Sequence, residues 1–524
     1  MPRSQRWASL GVVVFLLAGP VLFARAVTQP FSHDEHQFIA AGWWLAKAGM
    51  LPYRDFPYHH LPYQIPLNAL AVWLSPYVLL SGRLVSWVAA WLASGVLMAA
   101  VWREFQARSK ALASVAAGLA VLVFIASPIV AYTTGQAWNH DWAGLLALGA
   151  ILLQLQRIDG RSRPWLGFIV GLLAGLATGV RLSYAVLCPL LVASAAALPA
   201  PGRERLKNAA IVLAGVAAAG IPAAVLFVIA PKAFGYGNIL YPELNSLYRD
   251  VLRYWADNGW PAKLAFFVER VLARPANLAL LLGTLTLGVL GLVARLRDAA
   301  SRHAVSLVLL AAILLLLTAF APTPAWYQYY FAYVPVAILT CAVVIARLHA
   351  AGLRQAALLV GAAVAGLGIA LGTWDAHIVR RLQSPTTWVP IQVHQLGLRL
   401  AQEVRLGPVL TLAPVLAMEG GLSTYEAFAT GPFTWRVAHI IPEANRRMVG
   451  WIGRDDLEDY LADRPPTAIV TGLETENDGF EPGRRGTLEE PLDDFAARAG
   501  YRLLAWTAEF RGSEIRVWIA PSVP

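Results

Sequence analysis

Residues 295–355 read RLRDAASRHAVSLVLLAAILLLLTAFAPTPAWYQYYFAYVPVAILTCAVVIARLHAAGLRQ, and the reading of this stretch decides the fold. Two apolar runs, 304–320 and 331–347, are joined by APTPAWYQYY (321–330), which carries no Lys or Arg. The loops at either end, RLRDAASRH and RLHAAGLRQ, are basic. A helix of about 20 apolar residues spans the hydrocarbon of a bilayer, and Lys/Arg-rich loops stay in the cytoplasm. The stretch therefore reads as a transmembrane helical hairpin with its aromatic tip outside.

Working outward, the pattern repeats along the first 374 residues. Apolar runs at 8–28, 84–102, 111–130, 141–156, 165–180, 182–199, 209–230, 277–294 and 354–372 join the two above, giving about eleven candidate spans by that length rule. REFQARSK (103–110), QRIDGRSR (156–163), PGRERLKN (201–208) and the N-terminal MPRSQR fall on the same side as the two basic loops. YTTGQAWNH (132–140), free of Lys and Arg, falls on the other. Two long loops, 29–83 and 231–276, and the chain from 373 lie outside. The ARA at 24–26 resembles a signal-peptidase site, but the first run is expected to remain as a helix. Cleaved or not, residue 29 starts outside.

Composition agrees. The 524 residues are 57% hydrophobic and 14% charged, with mean hydropathy +0.54, against roughly 25% charged in soluble domains. The net charge of +10 would suit nucleic acid, but its distribution does not. Residues 1–374 hold 27 Lys/Arg and 12 Asp/Glu, the basic excess sitting in short loops between apolar runs, whereas residues 375–524 hold 15 and 20 and no Lys. Cys188 and Cys341 both lie in apolar runs and read as packing residues. Residues 375–524 read as an extracytoplasmic α/β domain: PVLTLAP, TAIVTG and IRVWIA are β-rich, and RDDLEDYLAD and PLDDFAARAG are helical with acidic first turns. Their alternation predicts a partly parallel sheet.

Carboxylates near hydrocarbon are costly and tend to mark function. Asp34 and Asp141 each stand at the outer mouth of an apolar span, where an N-cap role competes with a functional one. The first outer loop, FSHDEHQFIAAGWWLAKAGMLPYRDFPYHHLPYQIPLNALAVWLSPYVLLSGR (31–83), is dense in chemistry. Asp34 and Glu35 lie between His33 and His36; Arg54, Asp55, His59 and His60 follow. HQFIAAGWWLAKAG and IPLNALAVWLSPYVLL read as interfacial helices, with Trp43, Trp44, Trp73 and Tyr77 at headgroup depth. Further candidates are Asn139, His140 and Asp141 in WNHDWAG; Arg181 in a tight outer turn, where a bare Arg must snorkel or meet an anion; and Tyr327, Gln328 and Tyr329, an aromatic belt or a platform for sugar or lipid.

The acidic pair after the first helix, GMLPYRD (49–55), a Pro/Tyr-rich stretch, the NHD turn and the outer Trp/Tyr motif, in this order, resemble the GT-C superfamily. These are polytopic glycosyltransferases using lipid-phosphate-linked sugars. The nearest likenesses are bacterial relatives of the protein O-mannosyltransferases and of the lipid A aminoarabinose transferases. The tail stretch VLTLAPVLAMEGGLSTYEAFATGPFTWR (409–436) is similar to bacterial members too, whereas YHHLPY replaces a more usual Asp/Lys-Pro-Pro.

The resemblance implies an α-helical polytopic membrane protein with a GT-C-like domain (1–374) and the outer α/β domain (375–524). It implies an inverting hexosyl- or pentosyltransferase moving a sugar from a polyprenyl phosphate donor to a cell-envelope acceptor (lipid, glycan or protein), in a bacterial cytoplasmic membrane with the site facing outward. Asp34 matches the family's catalytic acidic residue, a general base; Glu35 and Asp141 join it as catalytic candidates. Arg54, Asp55, His59, His60, His140, Arg181, Tyr327, Gln328 and Tyr329 are candidate substrate-binding residues, Arg54 and Arg181 for phosphate. The histidines and carboxylates show no diagnostic metal spacing, so no metal ligand is assigned; a divalent cation, Mg or Mn, stays open as a cofactor. A transporter or flippase for polyprenyl-linked glycans, which would place charges deep in the bundle and often show repeats, and a non-catalytic scaffold are the rival readings.

Overall fold

The computed structural model describes residues 10–521, apart from 161–162, 252–258, 295, 297, 351–352, 375, 405–406, 475–486 and 508–513. The basic N-terminus and the outer-loop carboxylate Asp257 lie outside the described residues.

Each of the eleven apolar runs falls on a helix. They are α1 (Leu10–Thr28), then, after two outer helices α2 (His33–Ala48) and α3 (Ile65–Leu74), α4 (Val78–Phe105) and α5 (Lys110–Ala126). A short outer helix, α6 (Pro128–Thr133), precedes α7 (His140–Ile158), α8 (Pro164–Val180), α9 (Leu187–Ala196) and α10 (Gly202–Ile229). Another outer helix, α11 (Tyr241–Val251), leads to α12 (Pro275–Val293), α13 (Ala299–Thr318), α14 (Tyr333–Ala350) and α15 (Arg354–Ala370). Among the described residues, six helices are long and apolar enough to cross a membrane: α1, α4, α10, α12, α13 and the continuous 327–348 segment ending in α14. The apolar helices at 110–126, 164–180, 182–196 and 355–370 are shorter. The chain is a multi-pass membrane protein. The 327–348 helix is almost wholly buried and runs through the centre of the bundle, packed against α4, α12, α13 and α15.

Two boundaries differ from the sequence reading. The segment 65–80 is not one interfacial helix: Ser75–Tyr77 break it, and 78–80 form the first turn of α4. The span expected from 84 thus begins at Val78, drawing Arg83 into its first turns.

The tightest helix contact joins α8 and α10. Gly167, Gly171 and Gly175 recur every fourth residue on α8, and Gly215 and Ala219 face them on α10. A Cβ at Gly171 would meet the Val212 carbonyl oxygen, and one at Gly215 the Phe168 carbonyl oxygen. Small residues let membrane helices approach backbone to backbone and gain dispersion contacts. Where the pair parts, Tyr63 lies against Gly179 and its hydroxyl donates to the Ala219 carbonyl.

Beyond the bundle, α16 (Val389–Glu403), α17 (Pro414–Glu419), α18 (Pro432–Ala438) and α19 (Glu490–Arg498) accompany a four-stranded sheet. Its strands are β1 (Val409–Thr411), β2 (Ala468–Thr471), β3 (Arg502–Thr507) and β4 (Glu514–Ile519), in the order β1-β2-β4-β3. β1 and β2 are parallel; β4 runs antiparallel to both β2 and β3. The three β-rich runs are β1, β2 and β4, and the mixed sheet agrees with the expected partly parallel one. The edge strand β3 gave no signal, because RLLAWT does not alternate cleanly. This region shares one apolar core with the first outer loop: Phe38, Ile39, Val72 and Leu79 pack with Val393, Leu400, Met418 and Val470. Glu419 reinforces it, accepting from the Leu79 amide at the start of α4 (2.6 Å) and from His394 Nδ1 (2.7 Å). A carboxylate at a helix N-terminus satisfies an orphan N–H and suits the helix dipole.

A Gly171→Leu substitution is expected to force α8 and α10 apart and destabilise the protein by about 1–3 kcal/mol or more. Gly220→Ala, on an open face of α10, should be neutral or slightly stabilising. Thermal unfolding of the detergent-solubilised variants checks both; a Gly171→Leu protein as stable as the parent would refute the close crossing.

Candidate functional site

Asp34 is placed by the start of α2. Ser32 is the N-cap, its hydroxyl accepting from the Asp34 amide (3.3 Å), while Glu35 reaches back to the Ser32 amide (3.0 Å) in a capping box. The cap role open to Asp34 is therefore filled by Ser32, and the Asp34 side chain, 24% exposed, points elsewhere. Its nearest ionisable neighbour is His33, at 3.4 Å.

Glu35 is occupied differently. Glu35 and Arg83 have side chains with 0% exposure and form a two-pronged ion pair at 2.8 and 2.7 Å. Arg83 also donates to the Ala26, Gln29 and Pro30 carbonyls, and Glu35 accepts from the Ala137 amide (2.9 Å). One buried pair thus fastens the end of α1, the start of α2 and the 134–139 turn to α4. With four hydrogen bonds already on its oxygens, Glu35 holds the site together, and Asp34 is the carboxylate left to face it.

The 134–139 turn carries the next residues. Asn139 is the N-cap of α7, so Asp141 is not. The Asn139 amide donates to the Val180 carbonyl (2.9 Å) and its oxygen accepts from Arg181 (2.8 Å), locking the turn to the end of α8. Asp141 is fully buried, and neither carboxylate oxygen accepts a hydrogen bond among the described residues; the Gly135 amide lies nearby without good bonding geometry.

The structure brings many of the expected residues together. Arg181 lies over the Tyr329 ring at 5.3 Å and within the electrostatic reach of Asp34, His60 and His140. His60 stacks on Phe38 (5.0 Å); burial, then the Arg181 charge, push its pKa down to about 3, so the ring is neutral. His59 stacks on Tyr241 (3.8 Å, 9°), and its Nε2 meets Thr434 Oγ1 at 3.0 Å. Burial chiefly, with the Arg436 charge, keeps His59 neutral too. The Tyr241 hydroxyl accepts from Arg436 (3.2 Å) and feels both Arg249 and Asp34. Arg249 lies over Trp326 (5.9 Å) and Arg436 over Phe433 (4.5 Å). Around Asp34 the protein thus gathers three guanidinium groups, two phenols and neutral imidazoles, contributed by the first outer loop, the 181 turn, α11, the 326–330 turn and α18.

Arg54 and Asp55 stand apart. They fork to each other at 2.8 and 2.6 Å, half-exposed, and Asp55 also closes its own turn through the Leu51 amide. Tyr327 is held by Asn277 (2.8 Å), and Gln328 is buried with its oxygen lacking a partner among the described residues. Among the described residues no three His, Cys, Asp or Glu side chains converge as a metal-binding set. Sequence reasoning missed Arg83, Tyr241, Arg249, Thr434 and Arg436. Thr434 and Arg436 had a local signal, since both lie in the tail stretch 409–436 that resembles GT-C members.

A second link joins the tail to α2. His36 Nε2 lies 3.5 Å from Glu474; burial pushes the His36 pKa down to about 3, so the contact is polar rather than ionic. Beside Glu474, the buried Glu489 accepts from the Gly472 amide (2.6 Å). Burial and the neighbouring Glu474 charge push its pKa up to about 8.

With this geometry in place, the comparison with solved structures is decisive for the fold. ArnT from Cupriavidus metallidurans bound to undecaprenyl phosphate aligns over 98% of both chains at 15% identity, with a TM-score of 0.59. Its apo state aligns over the same 98% at 14% identity, with a TM-score of 0.61. The chain has the fold of ArnT. The oligosaccharyltransferase of Archaeoglobus fulgidus in complex with Zn and sulfate is more distant, with a TM-score of 0.47 at 12% identity over 96% of this chain and 72% of its own. No protein-family model and no curated protein matches the sequence. The alignment runs from bundle to tail, over 98% of both chains.

Two predictions follow from the buried charges. Arg83→Met strands Glu35 and should cost about 3–5 kcal/mol, whereas Glu35→Gln combined with Arg83→Met should recover part of that loss in thermal unfolding; additive losses would contradict a direct pair. Because the folded-state pKa of Glu489 is raised from 4.5, its stabilising form is the protonated one, fully present below pH 4.5 and lost as pH rises towards about 8. The unfolding midpoint should fall across that window and fall less steeply in Glu489→Gln; equal slopes would refute it.

Proposed function

We propose that the protein is an inverting glycosyltransferase that moves a sugar, hexose or pentose, from a polyprenyl phosphate donor to a cell-envelope acceptor at the outer face of a bacterial cytoplasmic membrane. The observation that carries this reading is Asp34: a carboxylate left unbonded by the capping box, facing Arg181 and Tyr329 at one mouth of a lipid-embedded bundle with the fold of ArnT. ArnT was solved with undecaprenyl phosphate, which is the donor chemistry proposed for this chain.

The residues suit the reaction. The acceptor hydroxyl attacks the anomeric carbon while Asp34 takes its proton as general base. The new C–O bond forms as the bond from the anomeric carbon to the phosphate oxygen breaks, through an oxocarbenium-like transition state. Attack opposite the leaving group inverts the centre. The leaving polyprenyl phosphate needs no strong acid, but its charge needs a partner. Arg181, with Arg249 and Arg436 nearby, supplies it, since guanidinium groups match phosphate oxygens. His59 and His60, both neutral, line the approach without adding charge. Asp141 is proposed to orient the acceptor or His140. Arg54 is committed to Asp55 and leaves the phosphate role to Arg181. A lipid donor reaches the site from the bilayer, which explains why the charged groups collect at the end of the bundle and not along its axis.

The reaction as written needs no metal, and this is tested with the rest. Purified protein in lipid nanodiscs is given a panel of undecaprenyl phosphate sugars and membrane acceptors, with and without EDTA. Transfer by the parent, a loss of about a hundredfold or more in Asp34→Asn, and indifference to EDTA are the expected results. Equal transfer by both proteins would remove Asp34 from the chemistry. No transfer from any donor would turn the reading towards a transporter or scaffold.

A further inference from the structure

The stretch YTTGQAW (132–138), which links α6 to α7, contributes nothing to the reaction outlined above except its backbone, yet it holds a run of side chains with unmet polar needs. Tyr132 is an aromatic ring left 41% exposed beside the site. Burial, then the Asp34 charge, raises its hydroxyl pKa, so the phenol lies within the field of the proposed base. Its ring stands edge-on to Tyr327 (5.4 Å, 86°) and tilted against Trp138 (6.0 Å). Trp138 in turn touches the His140 ring (5.9 Å). Trp138 is only 4% exposed, and its indole N–H has no acceptor among the described residues. The Thr133 hydroxyl and the Gln136 and Gln328 carbonyl oxygens are likewise buried without partners.

Buried polar groups are nearly always satisfied, and each one left bare is destabilising. Several collected in one turn and its neighbour, beside an exposed aromatic ring and the reacting carboxylate, mark a place that a polar molecule fills. A pyranose or furanose ring has the matching chemistry. Its C–H face packs on an aromatic ring, while its hydroxyls both accept and donate. An aromatic belt at the membrane surface explains an exposed Tyr but gives no reason for an orphaned indole N–H behind it.

We infer that Tyr132 and Trp138 form the sugar-recognising wall of the Asp34 site, Tyr132 stacking on the ring of the transferred sugar and the Trp138 N–H donating to one of its hydroxyls. The backbone of this wall is held by Glu35 through the Ala137 amide and by Ser86, whose hydroxyl donates to the Trp138 carbonyl (3.2 Å). The inference rests on the proposed transferase reading and deepens it: the turn sets which sugar is accepted, and the arginines hold the phosphate common to all donors.

The test compares two probes on one protein. Nanodisc-embedded parent, Tyr132→Leu and Trp138→Phe are titrated with undecaprenyl phosphate alone and with the undecaprenyl phosphate sugar that the parent transfers best. Trp138→Phe keeps an aromatic six-membered ring and removes the N–H together with the five-membered half of the indole, and the variant with this smaller apolar ring is expected to fold. Each variant should bind the sugar-bearing lipid about tenfold more weakly, bind undecaprenyl phosphate as the parent does, and show an altered preference across the donor panel. Equal weakening towards both lipids, or no change towards either, would overturn the assignment. Failure of the parent itself to bind undecaprenyl phosphate would instead count against the transferase reading, and so the two failures are told apart.

Discussion

The geometry of the site depends on a single buried ion pair, Glu35 with Arg83. Two opposite charges removed from water are stable only when every donor and acceptor is met, and here they are: Arg83 spends its remaining donors on the three carbonyls at the end of α1, and Glu35 takes the Ser32 and Ala137 amides. Four chain segments are thereby fixed relative to one another. Asp34, next in sequence to Glu35 but about 100° round the helix, is left to face Arg181. The pair also decides where the 134–139 turn lies, and with it Asn139, whose contacts bring in the end of α8.

The second constraint comes from the tail. It is fastened over the outer loops at several points: Glu419 on the first turn of α4, Glu474 on His36, and α18 on His59 and Tyr241. The candidate site is thus roofed by residues some four hundred positions from those of its floor. Neutral imidazoles and stacked rings fill the space between charges, so the guanidinium groups act in surroundings of low polarity, where their interaction with a phosphate is stronger than in water.

The membrane architecture was legible in the sequence because it rests on local quantities, the length of an apolar run and the sign of the loop beside it. The carboxylates Asp34 and Asp141 stood out for the same reason, as charges at the mouths of spans. What could not be read was which charge meets which. Asp34 and Glu35 look alike side by side, and only the position of Arg83 assigns one to the scaffold. Arg83 itself looked like the end of a loop because α4 starts earlier than its hydropathy suggests. Arg54 drew attention as a phosphate partner, yet the neighbouring Asp55 takes it, an exposed pair of small energetic weight. Tyr241 and Arg436, distant in sequence and unremarkable alone, meet only through the packing of α11 against α18. β3 escaped because the consecutive apolar residues Leu503, Leu504, Ala505 and Trp506 show no alternation.

The central claim is that Asp34 promotes a single direct displacement on a polyprenyl phosphate sugar. The most direct measurement is the fate of both halves of the donor in one reaction: the anomeric configuration of the product by NMR, together with the released lipid by mass spectrometry. The account predicts an inverted glycoside and one equivalent of polyprenyl monophosphate. Retention of configuration, or a diphosphate as the released lipid, would contradict it.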